Sequence, residues 1–200
     1  MKLMAVICEY NPFHKGHEYQ LKTQKEALSA DGVVCLMSGS FVQRGAPAVY
    51  DKWTRAKMAV QSGADLVLEL PVVYSAQSAK RFAYGAISLL NALGCIDALS
   101  FGSECGDILK LQKTSDLVFS DDFLSLTAEE MKRGISFPAA RTNVLQTHYP
   151  TVDATLLSSP NNILALEYLN ALKTGELHES VAFAEHFAKY KARYAFPEES

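Results

Sequence analysis

Glu9-Tyr10-Asn11-Pro12-Phe13-His14-Lys15-Gly16-His17 decides the fold, because it sets two imidazoles and a glycine where a buried strand turns into a helix. Upstream, residues 1–8 are almost unbroken apolar sequence of strand length, which suits a parallel strand covered on both faces. Downstream, His17, Leu21, Gln24 and Leu28 share one helical face, so His17 falls in the first turn of the next helix. Unpaired backbone N–H groups and the positive end of the dipole gather at such a start, and both favour phosphate. Gly16 lets the main chain approach a ligand with no side chain in the way. His14 and His17 straddle the turn and can donate hydrogen bonds to phosphate oxygens as negative charge builds on them. Two histidines that merely brace a tight loop are the alternative.

Working outward, apolar segments recur at residues 3–8, 33–37, 66–70 and 96–101, with helical patterns between them. A period of about thirty residues is that of repeated βα units and implies a parallel sheet. The expected fold is α/β, a Rossmann-like three-layer parallel sheet with a helical carboxyl-terminal extension. Ligands in such sheets collect beyond the carboxyl ends of the strands. Those ends are Cys8-Glu9-Tyr10, Ser38-Gly39-Ser40, Pro71 and Gly102-Ser103-Glu104. Residues 38–50 form a loop longer than a structural connection needs, and Arg44 is its only cation. Asp51 can cap a helix through Gln61, with Trp53, Ala56, Ala59 and Val60 inward and Lys52, Arg55 and Lys57 on a basic outer face. Ser75 can cap another helix that runs to Gly94.

Past Gly102 the pattern becomes helical throughout, which divides the chain into a nucleotide-binding domain at 1–106 and a helical extension at 107–200. Helix starts are expected at Asp107, at a Thr127/Glu130 capping box, at Ser136 and at Ser159-Pro160. The extension is expected to pack over the ligand edge of the sheet and bring Asn161 and Asn162 toward it. From His178 onward, Phe183, Phe187, Tyr190 and Tyr194 have the spacing of a basic amphipathic helix.

Composition sets outer bounds. A chain of 200 residues with 48% hydrophobic content can bury an ordinary domain core. Net charge is -3, so no global basic field attracts nucleic acid, and RNA binding would need a local patch. No run approaches a membrane span and the amino terminus lacks a signal-peptide pattern, so a cytoplasmic protein is expected. Cysteines 8, 35, 95 and 105 have no C-x-x-C spacing; they read as free thiols, with Cys95 opening a strand, and not as a zinc site or disulfide framework.

The motif E-Y-N-P-F-H-K-G-H carries the H-x-G-H pattern of the nucleotidylyltransferase superfamily and resembles that of bacterial tRNA(Met) cytidine acetate ligases. Further stretches follow in the family's order: Met37-Ser38-Gly39, Gln43-Arg44-Gly45, Pro47-Ala48, Lys52-Trp53 and Lys57-Met58-Ala59. Then come Leu68-Glu69-Leu70-Pro71, Phe101-Gly102-Ser103-Glu104 and Ser159-Pro160-Asn161-Asn162-Ile163-Leu164, so the resemblance covers roughly the first 170 residues. It implies activation of acetate by ATP to acetyladenylate, then transfer of the acetyl group to N4 of the wobble cytidine in elongator tRNA(Met).

The resemblance also implies a nucleotide site formed by Ile7, Cys8, Glu9, Tyr10, Asn11, Pro12, Phe13, His14, Lys15, Gly16, His17, Glu18, Tyr19 and Gln20, joined by Gly102 and Asn162. Tyr10, Asn11 and Phe13 would border the phosphates, and Gly102 would leave room for the nucleoside. His14 and His17 would be catalytic, each preorganised donor contributing ~2.7–4 kcal/mol to the barrier. Electrostatic stabilisation fits better than acid–base work, since a carboxylate nucleophile needs no deprotonation. A magnesium ion bridging the ATP phosphates is expected chemically. Two departures stand out. Family members carry a further carboxyl-terminal region with an S-x-x-x-I-R-type motif, and they supply an arginine after the Asn162 helix, whereas this chain has none between Arg141 and Arg193. The implied function is therefore that of the ligase or of its nucleotide-binding half. An adenylyltransferase for a small phosphorylated metabolite and a non-catalytic tRNA- or partner-binding module are the alternatives.

Overall fold

The computed structural model describes residues 1–174 and 181–183. Strands β1 (Leu3–Cys8), β2 (Gly32–Ser38), β3 (Leu66–Leu70), β4 (Ala98–Ser100) and β5 (Val181–Phe183) form one parallel sheet in the order β3-β2-β1-β4-β5. The chain steps outward from β1 to β3 and then crosses to the other side of β1. The carboxyl ends of β1 and β4 therefore flank the switch point, where open α/β sheets hold ligands.

Alternation along β1 explains the layers. Met4 and Val6 face a core shared with helices α1 (Lys15–Ala27) and α2 (Lys52–Gln61), which includes Leu21, Leu28, Cys35, Met37 and Ala59. Ala5 and Ile7 face the opposite core, built by α4 (Ala79–Leu93), α5 (Ile108–Val118), α7 (Phe137–His148) and α8 (Pro160–Thr174). Helix α6 (Asp121–Met131) closes that side through the fully buried Phe123. Leu111, Leu145 and Leu166 are also fully buried, each contributing ~1.5–3 kcal/mol by leaving water. The helical part thus covers one face of the sheet, and the start of α8 reaches the switch point.

Several expectations need correction. Asp51 does cap α2, accepting from Trp53 N at 2.9 Å and Thr54 N at 3.0 Å, but Trp53 is 75% exposed and Val60 50% exposed, whereas Arg55 is wholly buried. The cap of α4 is Ser78; Ser75 ends the separate short helix α3 (Val72–Ser75). Ser120 caps α6, and Thr127 lies inside it, donating to Phe123 O at 2.8 Å. Cys95 is exposed ahead of β4 and opens no strand. Residues 181–183 pair with β4 as a strand where a helix was expected; the remainder of that expected helix lies outside the described residues.

Gly85 on α4 is required by packing, because a Cβ there would fall inside the Tyr74 ring. Gly85→Val is expected to destabilise the fold by ~1–3 kcal/mol in denaturant unfolding, with part of the loss recovered when Tyr74→Ala is added. Purely additive losses would contradict the contact.

Candidate active site

The H-x-G-H turn is a helix cap made of two histidines. His14 is the N-cap of α1, and its Nδ1 accepts from Gly16 N at 3.1 Å. His17, three residues on, returns the bond: its Nδ1 accepts from His14 N at 3.3 Å. This is the reciprocal geometry of a capping box, with imidazole nitrogens in place of a hydroxyl and a carboxylate. The rings stack at 3.6 Å and 21°. A Cβ on Gly16 would lie 3.0 Å from His14 Cε1, so glycine leaves room for the capping ring itself.

The cap fixes the chemistry of both side chains. Burial holds the imidazole of His14 below the ordinary histidine range, and burial with the neighbouring His14 pushes that of His17 down to about 3. Both rings are therefore neutral at pH 7. A neutral imidazole has one donor and one acceptor nitrogen; since Nδ1 accepts, Nε2–H is the donor left on each ring. Two such donors at a helix start suit an anion whose charge grows in a transition state.

Aromatic packing sets the pitch of His17. Tyr10 leaves β1 with φ of 48° and turns its ring inward, 4.9 Å from His17 and 4.7 Å from Phe13. Its hydroxyl reaches Cys35 Sγ at 3.5 Å, and burial pushes the phenol's pKa far up. The buried Tyr10 side chain is thus a strut beneath the turn. Glu9 and Asn11 direct their side-chain oxygens at the 38–50 loop: the Glu9 carboxylate Oε1 accepts from Gln43 N and the Asn11 amide Oδ1 from Val49 N, each at 2.7 Å. That loop is a small hairpin with Arg44 at its exposed tip, closed by Val42 N to Ala46 O at 3.0 Å and Ala48 N to Ser40 O at 2.9 Å.

Arg55 is the residue that sequence reasoning missed. Its guanidinium donates to the main-chain carbonyls of Glu9, Ser38, Gly39 and Tyr50, tying the exits of β1 and β2 and the end of the loop to α2. The signal was there: Arg55 sits one turn before the buried Ala59, on the inward stripe.

Across the switch point a second reciprocal arrangement holds the exit of β4. The Glu104 carboxylate accepts from Asn161 N at 3.2 Å and Asn162 N at 2.8 Å, capping α8 where its dipole favours negative charge. Asn162 Oδ1 accepts in return from Ser103 Oγ at 2.6 Å and Cys105 N at 3.1 Å. These bonds place the buried Asn162 beside the loop that follows Gly102. Gln20 Nε2 donates to Ser100 Oγ at 3.4 Å, bracing α1 against β4. Of the other expected nucleotide residues, Ile7 and Cys8 end β1 in the sheet, Pro12 is exposed in the turn, Lys15 is exposed, and Glu18 pairs with Lys22 at 2.6 Å. Gly102 lies just past β4.

This geometry is matched by sequence: residues 1–186 fit the profile of the HIGH nucleotidyl transferases. The chain belongs to that family. The HIGH nucleotidyl transferase fold also accounts for its relatives. It is 47% identical over 182 residues to a tRNA(Met) cytidine acetate ligase of Clostridium perfringens (strain SM101 / Type A), a match covering 86% of this chain and 45% of that protein. A ligase of the same name from Caldicellulosiruptor bescii is 50% identical over 171 residues, 84% of this chain and 42% of that one. The crystal structure of Thermotoga maritima TmcAL bound with alpha-thio ATP superposes with a TM-score of 0.81 at 37% identity, covering 92% of this chain and 47% of that one. The resemblance drawn from the motifs is borne out, and the chain spans about half the length of the curated relatives it matches. No helix among the described residues is long and apolar enough to cross a membrane.

Two predictions follow from the cap and its anchor. His17 binds no proton in the fold until about pH 3 but binds one near pH 6.5 when unfolded, so its contribution to stability is present above pH 6.5 and lost as pH falls toward 3. His17→Gln keeps a capping acceptor without the titration; between pH 7 and 4 the parent should lose on the order of 2–3 kcal/mol more unfolding free energy than this variant. Parallel curves would contradict the buried neutral imidazole. Arg55→Met should cost ~3–5 kcal/mol in the same assay, because buried carbonyls lose their donor.

Proposed function

We propose that this chain binds ATP at the H-x-G-H turn and activates acetate on it, as the nucleotide-binding half or the whole of a tRNA(Met) cytidine acetate ligase. The observation that carries the reading is the reciprocal histidine cap at the switch point, which supplies two neutral Nε2–H donors beside a helix start. An acetate oxygen would attack the α-phosphorus of ATP, the bond from that phosphorus to the bridging oxygen would break, and pyrophosphate would leave. The imidazoles stabilise the five-coordinate phosphorus and the departing charge without taking a proton. In the second step the N4 amine of the wobble cytidine attacks the acetyl carbonyl carbon, AMP leaves, and the amine's proton passes to solvent.

His14 and His17 act as the catalytic donors, Gly16 gives room for the cap, and Gly102 and Asn162 border the nucleoside across the crevice. Ile7 to Gln20 supply the rest of the nucleotide site, largely through main chain. Among the described residues no group of three or more His, Cys, Asp or Glu side chains is placed to hold a metal; a magnesium ion accompanying the ATP phosphates, where it would offset their charge, is part of the same proposal. The division at residue 107, with the helices beyond it closing over the nucleotide, belongs to the same proposal, as does a cytoplasmic site of action on tRNA.

The test is acetate-dependent exchange of labelled pyrophosphate into ATP. The chain should catalyse it, and His14→Ala or His17→Ala should each lower the rate by ~10²–10³-fold. Full exchange in His17→Ala would overturn the role given to that ring. Exchange driven by a phosphorylated acceptor in place of acetate would move the assignment to a metabolite adenylyltransferase.

A further inference from the structure

The sequence has one tryptophan, and it is the most exposed aromatic ring among the described residues: Trp53 is 75% exposed in the first turn of α2. Burying that indole would release it from water, so its position invites a partner. One face is already backed. Lys52 Nζ lies 5.4 Å from the ring centroid and is itself held at 2.6 Å by Glu69. The platform is therefore steadied from one side.

Its neighbours extend the surface toward the nucleotide crevice. Tyr50 is 47%, Val49 68% and Phe41 45% exposed on the adjoining loop. That loop is fastened to the segment leading into the H-x-G-H turn, through Val49 N to Asn11 Oδ1 and Gln43 N to Glu9 Oε1. Arg55, two residues from Trp53, joins the same strand exit to α2. The loop that leads into Trp53 is thus tied to the segment that carries the histidine pair.

Charge favours the same occupant. The carboxylate of Asp51 is committed to the start of α2, and that of Glu69 to Lys52. Arg44 at the tip of that loop and Lys57, one turn after Trp53 on α2, are exposed cations, and neither forms an ion pair among the described residues. Aromatic rings with unpaired cations are the pattern of single-stranded nucleic-acid binding, in which bases stack and phosphates meet the charges. A chain of net charge -3 otherwise offers RNA little attraction.

We infer that Trp53 is a stacking platform for an unpaired base of the RNA substrate, with Arg44 and Lys57 on the flanking phosphates. This rests on the RNA-modifying reading above and assigns the acceptor surface to the loop after β2 and the start of α2.

The sole tryptophan makes the test direct. Emission of the full chain is followed during titration with an RNA stem–loop carrying a cytidine in its loop, and with a blunt RNA duplex as control. The stem–loop should quench Trp53 and the duplex should not. By anisotropy of the labelled stem–loop, Trp53→Ala should weaken binding by roughly tenfold or more, Trp53→Phe should retain most of it, and Arg44→Ala should reduce its salt dependence. Unchanged emission on RNA binding, or unchanged affinity in Trp53→Ala, would overturn the inference. So would emission that is blue-shifted and shielded from acrylamide before RNA is added, since protein would then cover the ring. Failure of pyrophosphate exchange in the parent chain would count against the proposed function instead.

Discussion

Two imidazole nitrogens committed to backbone N–H groups set the terms for the rest of this site. His14 Nδ1 and His17 Nδ1 close the first turn of α1 on each other, so neither ring can rotate without uncapping the helix. The same bonds decide the tautomer, and burial decides the charge. A short segment thereby fixes position, protonation and donor direction together, and such preorganisation lets a donor stabilise a transition state without first rearranging.

The surrounding structure serves to hold that turn against the sheet. Tyr10 and Phe13 wedge His17 from below. Arg55 gathers the carbonyls of two strand exits that would otherwise be buried without donors. On the far side of the switch point, Glu104 and Asn162 exchange hydrogen bonds between the β4 exit and the start of α8. Two helix starts, each tied by side chains to a strand exit, thus flank one crevice.

Much of the scaffold was legible because apolar runs are a direct consequence of burial on both faces. Residues 3–8 and 66–70 were read as strands with the bounds the structure gives, and the start of α1 at the histidine pair followed from helical spacing. The caps were less legible. Ser75 and Ser78 both precede helical pattern, and only the break after α3 separates them; Thr127 mimics a helix start inside α6. Arg55 was read as solvated because charge is ordinarily outward, yet here main-chain carbonyls replace water. Likewise the spacing of His14 and His17 reveals their neighbourhood but not which nitrogen is engaged, since that depends on side-chain rotation.

The most direct measurement is ¹⁵N NMR of histidine-labelled protein at pH 7, with and without alpha-thio ATP. The account predicts that His14 and His17 are both neutral with the proton on Nε2, and that these Nε2–H signals shift when the nucleotide binds while Nδ1 stays an acceptor. Rings protonated on Nδ1, rings carrying both protons, or Nε2 signals indifferent to bound nucleotide would contradict it.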